Sequence, residues 1–489
     1  MEIKKNFIQE IEKIIGKDNI DYFLECCQKP LKKSIKININ KIESNKFQEI
    51  IKEFGWRLTT PQIKVNGENY DNFYIDRDDT SLALGKTFFH LSGFFYIQEI
   101  AASIPAKLID IKPGDKILDI SAAPGGKTTQ IGDYLLFQGQ KPGFVVANDV
   151  NKKRAQSLAH NLNRMGIYNT GITSINGFSF GKNIPNSFDH VLVDAPCSGE
   201  GTSYKSDFSL KTWKKQEINK ICGTQFQLLV SAAKALKIGG TLIYSTCTLN
   251  PYENELNVKK VLDFFEGDLV LEETNIQGKS EGITHIEGEK IFDESQASKL
   301  ARFWPHVQET GGFFVAKIKK VKSKENKYNP KENKLTPQNP FKLNISEKLQ
   351  KQVWDYLYQV FGIKEDREKY LFLSTTNQVY VTSPEYVDIK DKLNFEKIGT
   401  PIFKINSGRD RLRPLHGLGT ILGDKATKNF VELNYELSQK IAFREDINKE
   451  EVNTDNLPEK GYIILRYQGY GISVGKILDG VIKNKYIKI

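Results

Sequence analysis

Cysteine is scarce in this chain of 489 residues, and the scarcity removes several classes of protein. The five thiols, Cys26, Cys27, Cys197, Cys222 and Cys247, are too few and too irregularly spaced for a disulfide framework. No Cys-x-x-Cys or His-x-x-x-His pair suggests zinc. The sequence therefore predicts a reducing compartment and no metal. Also lacking is any uninterrupted apolar stretch of signal or membrane length. The amino terminus instead alternates charged and apolar residues at helical spacing, with Phe7, Ile11, Ile14 and Ile15 on one face. A cytoplasmic protein with no membrane segment is the expectation. There is no internal repeat, no Gly-x-Gly-x-x-Gly of the dinucleotide type and no Walker loop, which would need glycine at position 121, where Ser stands.

What is present is ordinary globular usage, 39% hydrophobic and 27% charged residues, on a chain long enough for two to four domains. A formal net charge of +10 and a pI near 9.0 bias the surface towards phosphate-rich partners, a bias that abundant lysine alone also produces.

Residues 1–95 mix helical patterns with strand-like segments such as 34–39, which predicts a small α+β module. From 96 to 320, short apolar runs alternate with amphipathic stretches, the pattern of a parallel sheet wrapped by helices. Strands are expected at 116–120, 144–148, 171–175, 190–195 and 241–245, with a last, antiparallel one at 313–318. Helices are expected at 152–165, with Ala155, Leu158, Ala159 and Leu162 on one face, and at about 225–236. A lysine-, asparagine- and proline-rich stretch with little apolar content predicts a linker at 321–343. Beyond it, 344–489 reads as one compact, strand-rich domain, opened by a helix that ends before Gly362.

The densest cluster of chemistry begins at Asp119 and runs through Ala122-Ala123-Pro124-Gly125-Gly126-Lys127-Thr128. An apolar strand, a tight glycine turn and a helix in succession form a nucleotide-type cofactor loop, because adjacent glycines admit a ligand to the backbone and the helix start offers free N–H groups. The second strand ends at Asp149, where an acid can accept hydrogen bonds from ribose hydroxyls or cap the next helix. The third ends near Asn176, in position to meet an adenine edge. The fourth runs into Asp194-Ala-Pro-Cys197 and the fifth into Ser245-Thr-Cys247. Carboxyl ends of neighbouring parallel strands converge on one crevice, so both thiols are expected beside the cofactor loop. A lone buried cysteine is usually inert. Two converging on one acid suit addition to a pyrimidine: a thiolate adds to carbon 6 of cytosine, carbon 5 becomes nucleophilic towards a methyl sulfonium, and a second thiol assists release. Asp194 can hold N3 protonated, and Lys127 is the candidate for lowering the nucleophile's pKa.

These segments resemble the NOL/NOP/Sun family of RNA 5-methylcytosine methyltransferases over about residues 96–320. The resemblance rests on the 122–128 loop, the segment from Asp194 to Thr202 and the segment from Ser245 to Glu255, in that order. It implies a Rossmann-like class I methyltransferase sheet, S-adenosylmethionine as cofactor, Cys247 as nucleophile and Cys197 as the release residue. It also implies cofactor contacts at Ala122 to Thr128, Asp149 and Asp194, while the family usually has an acid where this chain has Asn176. The tail from Tyr467 through Lys476 to Asn484 is similar to the carboxyl end of bacterial RsmF-type ribosomal-RNA enzymes. That implies a PUA-like RNA-binding end, in keeping with the basic cluster at 408–413. The expected partner is RNA, ribosomal before transfer RNA, and the expected state is a monomer. Two other readings fit the residues less well. Exocyclic-amine methylases carry an aromatic after Asp/Asn-Pro-Pro, where Cys197 follows Pro196 here, and a catalytically silent assembly factor need not keep either thiol.

Overall fold

The computed structural model describes residues 3–67, 71–205, 208–322, 343–406, 412–453 and 457–485. Most of the expected linker and positions 408–411 of the basic cluster lie outside those residues.

The architecture centres on one sheet whose strands are near-continuous apolar runs, as burial on both faces demands. In chain order they are β1 (Lys116–Asp119), β2 (Phe144–Asn148), β3 (Thr170–Thr173), β4 (Phe188–Asp194), β5 (Leu236–Thr246), β6 (Leu269–Glu272), β7 (Phe313–Lys320) and β8 (Lys397–Ile398). Their spatial order is β6-β7-β5-β4-β1-β2-β3-β8, and a short strand at Ala301–Phe303 also pairs with β7. Strands β1 to β5 pair in parallel, whereas β7 lies antiparallel to β5 and β6. The winding reverses between β1 and β4, which opens a crevice at their carboxyl ends.

The helices that flank this sheet include α1 (Gly126–Phe137), α2 (Lys152–Met165), α3 (Lys215–Ala235) and α4 (Glu255–Phe264). In α2 the Asn151 side chain caps the amino end, Gly166 closes the carboxyl end in the left-handed region, and the stripe Ala155, Leu158, Ala159 and Leu162 is buried as the spacing predicts. Helix α3 starts ten residues before its expected position. Its first half buries only Ile218 and Cys222, a stripe too sparse to read from the sequence.

The amino-terminal module has an antiparallel sheet ordered Trp56–Thr59, Asn72–Arg77, Ser34–Ile37, Phe95–Ile97. Its two leading helices, Lys5–Ile15 and Lys17–Gln28, bury Phe7, Ile11 and Phe23 against Trp213, Leu249 and Trp304, behind the ends of β4 and β5. The carboxyl-terminal region contains two sheets. One holds Leu371–Ser374, Gln378–Thr382, Thr400–Ile405 and Leu412–Pro414; the other is five-stranded and built around Gly461–Tyr467 and Tyr470–Leu478. Between the second and third strands of the first sheet, β8 leaves to extend the central sheet beside β3. Among the described residues no helix is long and apolar enough to cross a membrane.

Candidate active site

The loop after β1 is pinned by its neighbours. Ala122 N–H donates to the Asn148 carbonyl at 2.8 Å, and Ala123 N–H donates to the Asp149 carboxylate at 3.3 Å. The carbonyls of Ala123 and Pro124 accept from the side chains of Arg154 (2.6 Å) and Asn161 (2.9 Å) on α2. Gly125 sits at φ 109°, and a Cβ there would approach Leu158 to 2.9 Å, so both conformation and space require glycine. Helix α1 then begins with its first N–H groups lacking intrahelical partners. Thr128 donates from its hydroxyl to Asp119 at 2.7 Å, and burial pushes the Asp119 carboxyl up to about 7.

Asp149 is buried at the end of β2, where it also accepts from Asn151 N–H at 2.9 Å. Asn176 is exposed, and its amide oxygen accepts from Phe178 N–H at 3.0 Å, capping a short turn at Gly177–Ser179.

Adjacent parallel strands bring the chemistry together. Ser245 on β5 stands opposite Asp194 on β4, and its hydroxyl donates to Asp194 Oδ1 at 2.8 Å. Lys127, from the first turn of α1, donates to Asp194 Oδ2 at 2.6 Å and lies 5.3 Å from the centroid of the Phe313 ring. Just beyond the two strand ends, the Cys197 and Cys247 sulfurs are 3.1 Å apart. The structure thus gathers Lys127, Asp194, Cys197 and Cys247 at one crevice, next to the loop that carries Ala122 to Thr128.

The two thiols differ electrostatically. A hydrogen bond from Cys197, with Lys127 and Lys205 nearby, holds the Cys247 thiol below the ordinary range, although burial and Asp194 oppose this. The same hydrogen bond, burial and the charges of Cys247 and Glu253 push Cys197 well above it. Of the two thiols, Cys247 is thus the more readily ionised.

The sequence reading missed the buried polar residues that support this pair. Glu200, Asn250 and Glu253 are almost fully enclosed and tied to one another and to Ser198 and Thr248. The only signal was the presence of an acid within each motif segment. Gly201 was missed as well. Its N–H donates to the Cys247 carbonyl at 3.0 Å, and a Cβ there would meet the Gly312 oxygen at 2.0 Å, so glycine alone fits. Among the described residues, no group of three or more His, Cys, Asp or Glu side chains is placed to hold a metal ion.

Comparison with known proteins yields matches along the chain. Residues 106–319 match the family described as 16S rRNA methyltransferase RsmB/F, residues 3–100 the N-terminal domain of 16S rRNA methyltransferase RsmF, and residues 428–488 the methyltransferase RsmF PUA domain. The chain is 32% identical to ribosomal RNA small subunit methyltransferase F of Vibrio parahaemolyticus, over 98% of this chain and 95% of that one. The enzyme of the same name from Aeromonas salmonicida is 31% identical over 95% and 92%. Among solved structures, a methyltransferase homologue from Pyrococcus horikoshii is 30% identical, covering 65% of this chain and 95% of its own, with a TM-score of 0.56.

Proposed function

The chain belongs to the 16S rRNA methyltransferase RsmB/F family, and from that premise we propose that it methylates carbon 5 of a cytosine in small-subunit ribosomal RNA through a covalent adduct on Cys247. The observation that carries this reading is the pair of sulfurs 3.1 Å apart beside the Lys127–Asp194 ion pair.

The residues fit S-adenosylmethionine. The Asp149 carboxylate keeps lone pairs for ribose hydroxyls, and the free N–H groups at the start of α1 suit a carboxylate. Ala122, Ala123, Pro124, Gly125, Gly126, Lys127, Thr128 and Asp149 would hold the cofactor, with Asn176 and Asp194 at its borders. When bound, it supplies an electrophilic methyl group.

The remaining work belongs to the side chains of this protein. The Cys247 thiolate bonds to carbon 6, the 5,6 double bond opens, and N3 takes up a proton from solvent, which it gives back after carbon 5 has taken the methyl group. Asp194, fixed by Lys127 and Ser245, has acceptor capacity left for that protonated edge. Once carbon 5 carries the methyl group, its proton leaves to a base, the double bond re-forms and the carbon–sulfur bond breaks. The Cys197 S–H donates to the departing sulfur and stabilises it as a thiolate.

The PUA match at 428–488 and the positive net charge support RNA as the macromolecular substrate. We further read the protein as a cytoplasmic monomer, because one chain provides both thiols, the acid and the cofactor loop, and a reducing compartment keeps the thiols free. Two measurements test the reading: transfer of labelled methyl from S-adenosylmethionine to small-subunit ribosomal RNA, and bisulfite sequencing of total RNA with and without the gene. Activity should vanish in Cys247→Ala. Full activity in that variant would overturn the nucleophile, and a lost signal in transfer RNA instead would overturn the substrate.

A further inference from the structure

The two thiols lie on separate loops, and two buried carboxylates tie those loops together in opposite directions. Glu200 belongs to the Cys197 loop and reaches across to the Cys247 loop. Its Oε2 accepts from the Thr248 hydroxyl (2.9 Å) and from the N–H groups of Leu249 (3.1 Å) and Asn250 (2.9 Å). Its Oε1 accepts from the Trp213 indole (2.6 Å) and the Asn250 amide (3.0 Å). Glu253 lies beyond Cys247 and reaches back. Its Oε2 accepts from Ser198 N–H (3.1 Å) and from the Gln225 amide (2.7 Å), which also donates to the Pro196 carbonyl (2.9 Å). The backbone on both sides of Cys197 is thus held through Glu253, and the backbone after Cys247 is held by Glu200. Asn250 bridges the two acids, donating to Glu253 at 2.7 Å as well.

Neither acid has a lysine or arginine partner among these contacts; each is satisfied by neutral donors, two of the five at Glu200 being backbone amides. A carboxylate so enclosed is costly unless both oxygens are hydrogen-bonded, and here those bonds join the two loops. On the reading that Cys247 attacks and Cys197 assists release, we infer that Glu200 and Glu253 are positioning residues with divided tasks: Glu200 aims the attacking sulfur, and Glu253 aims the releasing one. The charge of Glu253 also helps keep Cys197 protonated, as a donor to the departing thiolate must be.

The two acids should therefore fail differently. Glu253→Gln places an amide N–H where Asn250 donates and removes the charge beside Cys197. It should form the adduct but stall, accumulating a denaturant-resistant protein–RNA band on an unmodified small-subunit ribosomal RNA transcript, as Cys197→Ala should. Glu200→Gln and Glu200→Ala should lose the band together with methyl transfer, by about 100-fold, because misplacement by about 1 Å has that effect on a reacting group. Folding is checked by thermal unfolding, in which the Gln variants should melt earlier but still cooperatively and above the assay temperature, and by S-adenosylmethionine binding, which should stay close to wild type.

A second measurement needs no RNA. Diamide takes two hydrogens from a close pair of thiols, its azo bond becoming a hydrazine while a sulfur–sulfur bond forms. The tryptic peptides carrying Cys197 and Cys247 should link quickly in wild type and at least about tenfold more slowly in either acid variant. If wild type neither methylates nor forms a band in the Cys197→Ala background, the functional reading fails, and the diamide rates still decide the inference about the acids. If wild type behaves as proposed, but Glu253→Gln shows no band or the acid variants cross-link at the wild-type rate, the divided roles are overturned.

Discussion

Helix α1 carries two lysine–aspartate pairs that share their chemistry and differ in their access to water. At its first turn Lys127 meets Asp194 at 2.6 Å, with side chains 12% and 31% exposed. Two turns later Asp133 meets Lys36 of the amino-terminal module with both side chains enclosed, 0% and 1% exposed. Asp133 also accepts from the N–H groups of Ile39 (3.1 Å) and Asn40 (2.9 Å), and Lys36 lies over the Tyr134 ring. A pair that water and a substrate can reach can hand its hydrogen bonds to a reacting base. A pair sealed between two modules can only hold them together. Burial, rather than residue type, separates the pair proposed to act in catalysis from the fastening one.

The comparison breaks most visibly at the fastening pair. Lys36→Ala leaves the Asp133 carboxylate buried without its cation, a change that costs about 3–5 kcal/mol. Urea unfolding should register that loss, while the folded fraction retains near-normal kcat. Pairing Lys36→Met with Asp133→Asn should recover part of the stability, because no unpaired ion is then buried and an amide oxygen remains for the N–H groups of Ile39 or Asn40. If Lys36→Ala unfolded like wild type but turned over slowly, the roles assigned to the two pairs would be reversed.

Lys127→Met tests the other end of the helix. It should lower kcat about 100-fold, in line with removal of one donor that fixes a transition-state group. Stability should change by less than about 1 kcal/mol, since partly exposed pairs contribute little. A large drop in melting temperature with kcat intact would make this pair structural too.

The catalytic end was far more legible in the sequence than the fastening end. Strand β2, helix α2 and the thiol-bearing ends of β4 and β5 follow from local patterns of apolar runs, helical stripes and glycine turns, and Cys197 and Cys247 meet because parallel strands end on one edge. What stayed hidden depends on distant partners. Lys36 looks like any surface lysine until the fold brings Asp133 against it from 97 positions away. Strand β8 has two residues, and nothing local announces that it will pair with β3 across more than two hundred positions. The division of 344–489 into two sheets is equally non-local, because strands in both are short apolar runs and their partners are set by the fold. Glu200 and Glu253 were visible as letters within recognisable motifs, but their enclosure depends on distant partners: Trp213, packed against the helices Lys5–Ile15 and Lys17–Gln28, for Glu200, and Gln225 of α3 for Glu253.

The smallest expected effect sharpens the comparison within the crevice itself, by asking which neighbour sets the reactivity of Cys247. The hydrogen bond from Cys197 is the largest influence holding that thiol below the ordinary range, ahead of Lys127 and Lys205, while burial and Asp194 act against it. In the proposed mechanism the attacking species is the thiolate, so the rate of adduct formation should rise with pH as Cys247 loses its proton. Removing a group that favours the thiolate raises the pKa and moves this ascending limb to higher pH; removing one that opposes it does the reverse. Cys197→Ala should therefore shift the limb upward, Lys127→Gln should shift it the same way by less, and Asp194→Asn should shift it downward. Single-turnover formation of the denaturant-resistant band across a pH series reads all three. A limb unmoved in Cys197→Ala would mean that the second thiol acts only after the adduct forms, and that Lys127 and Lys205 alone prepare the nucleophile.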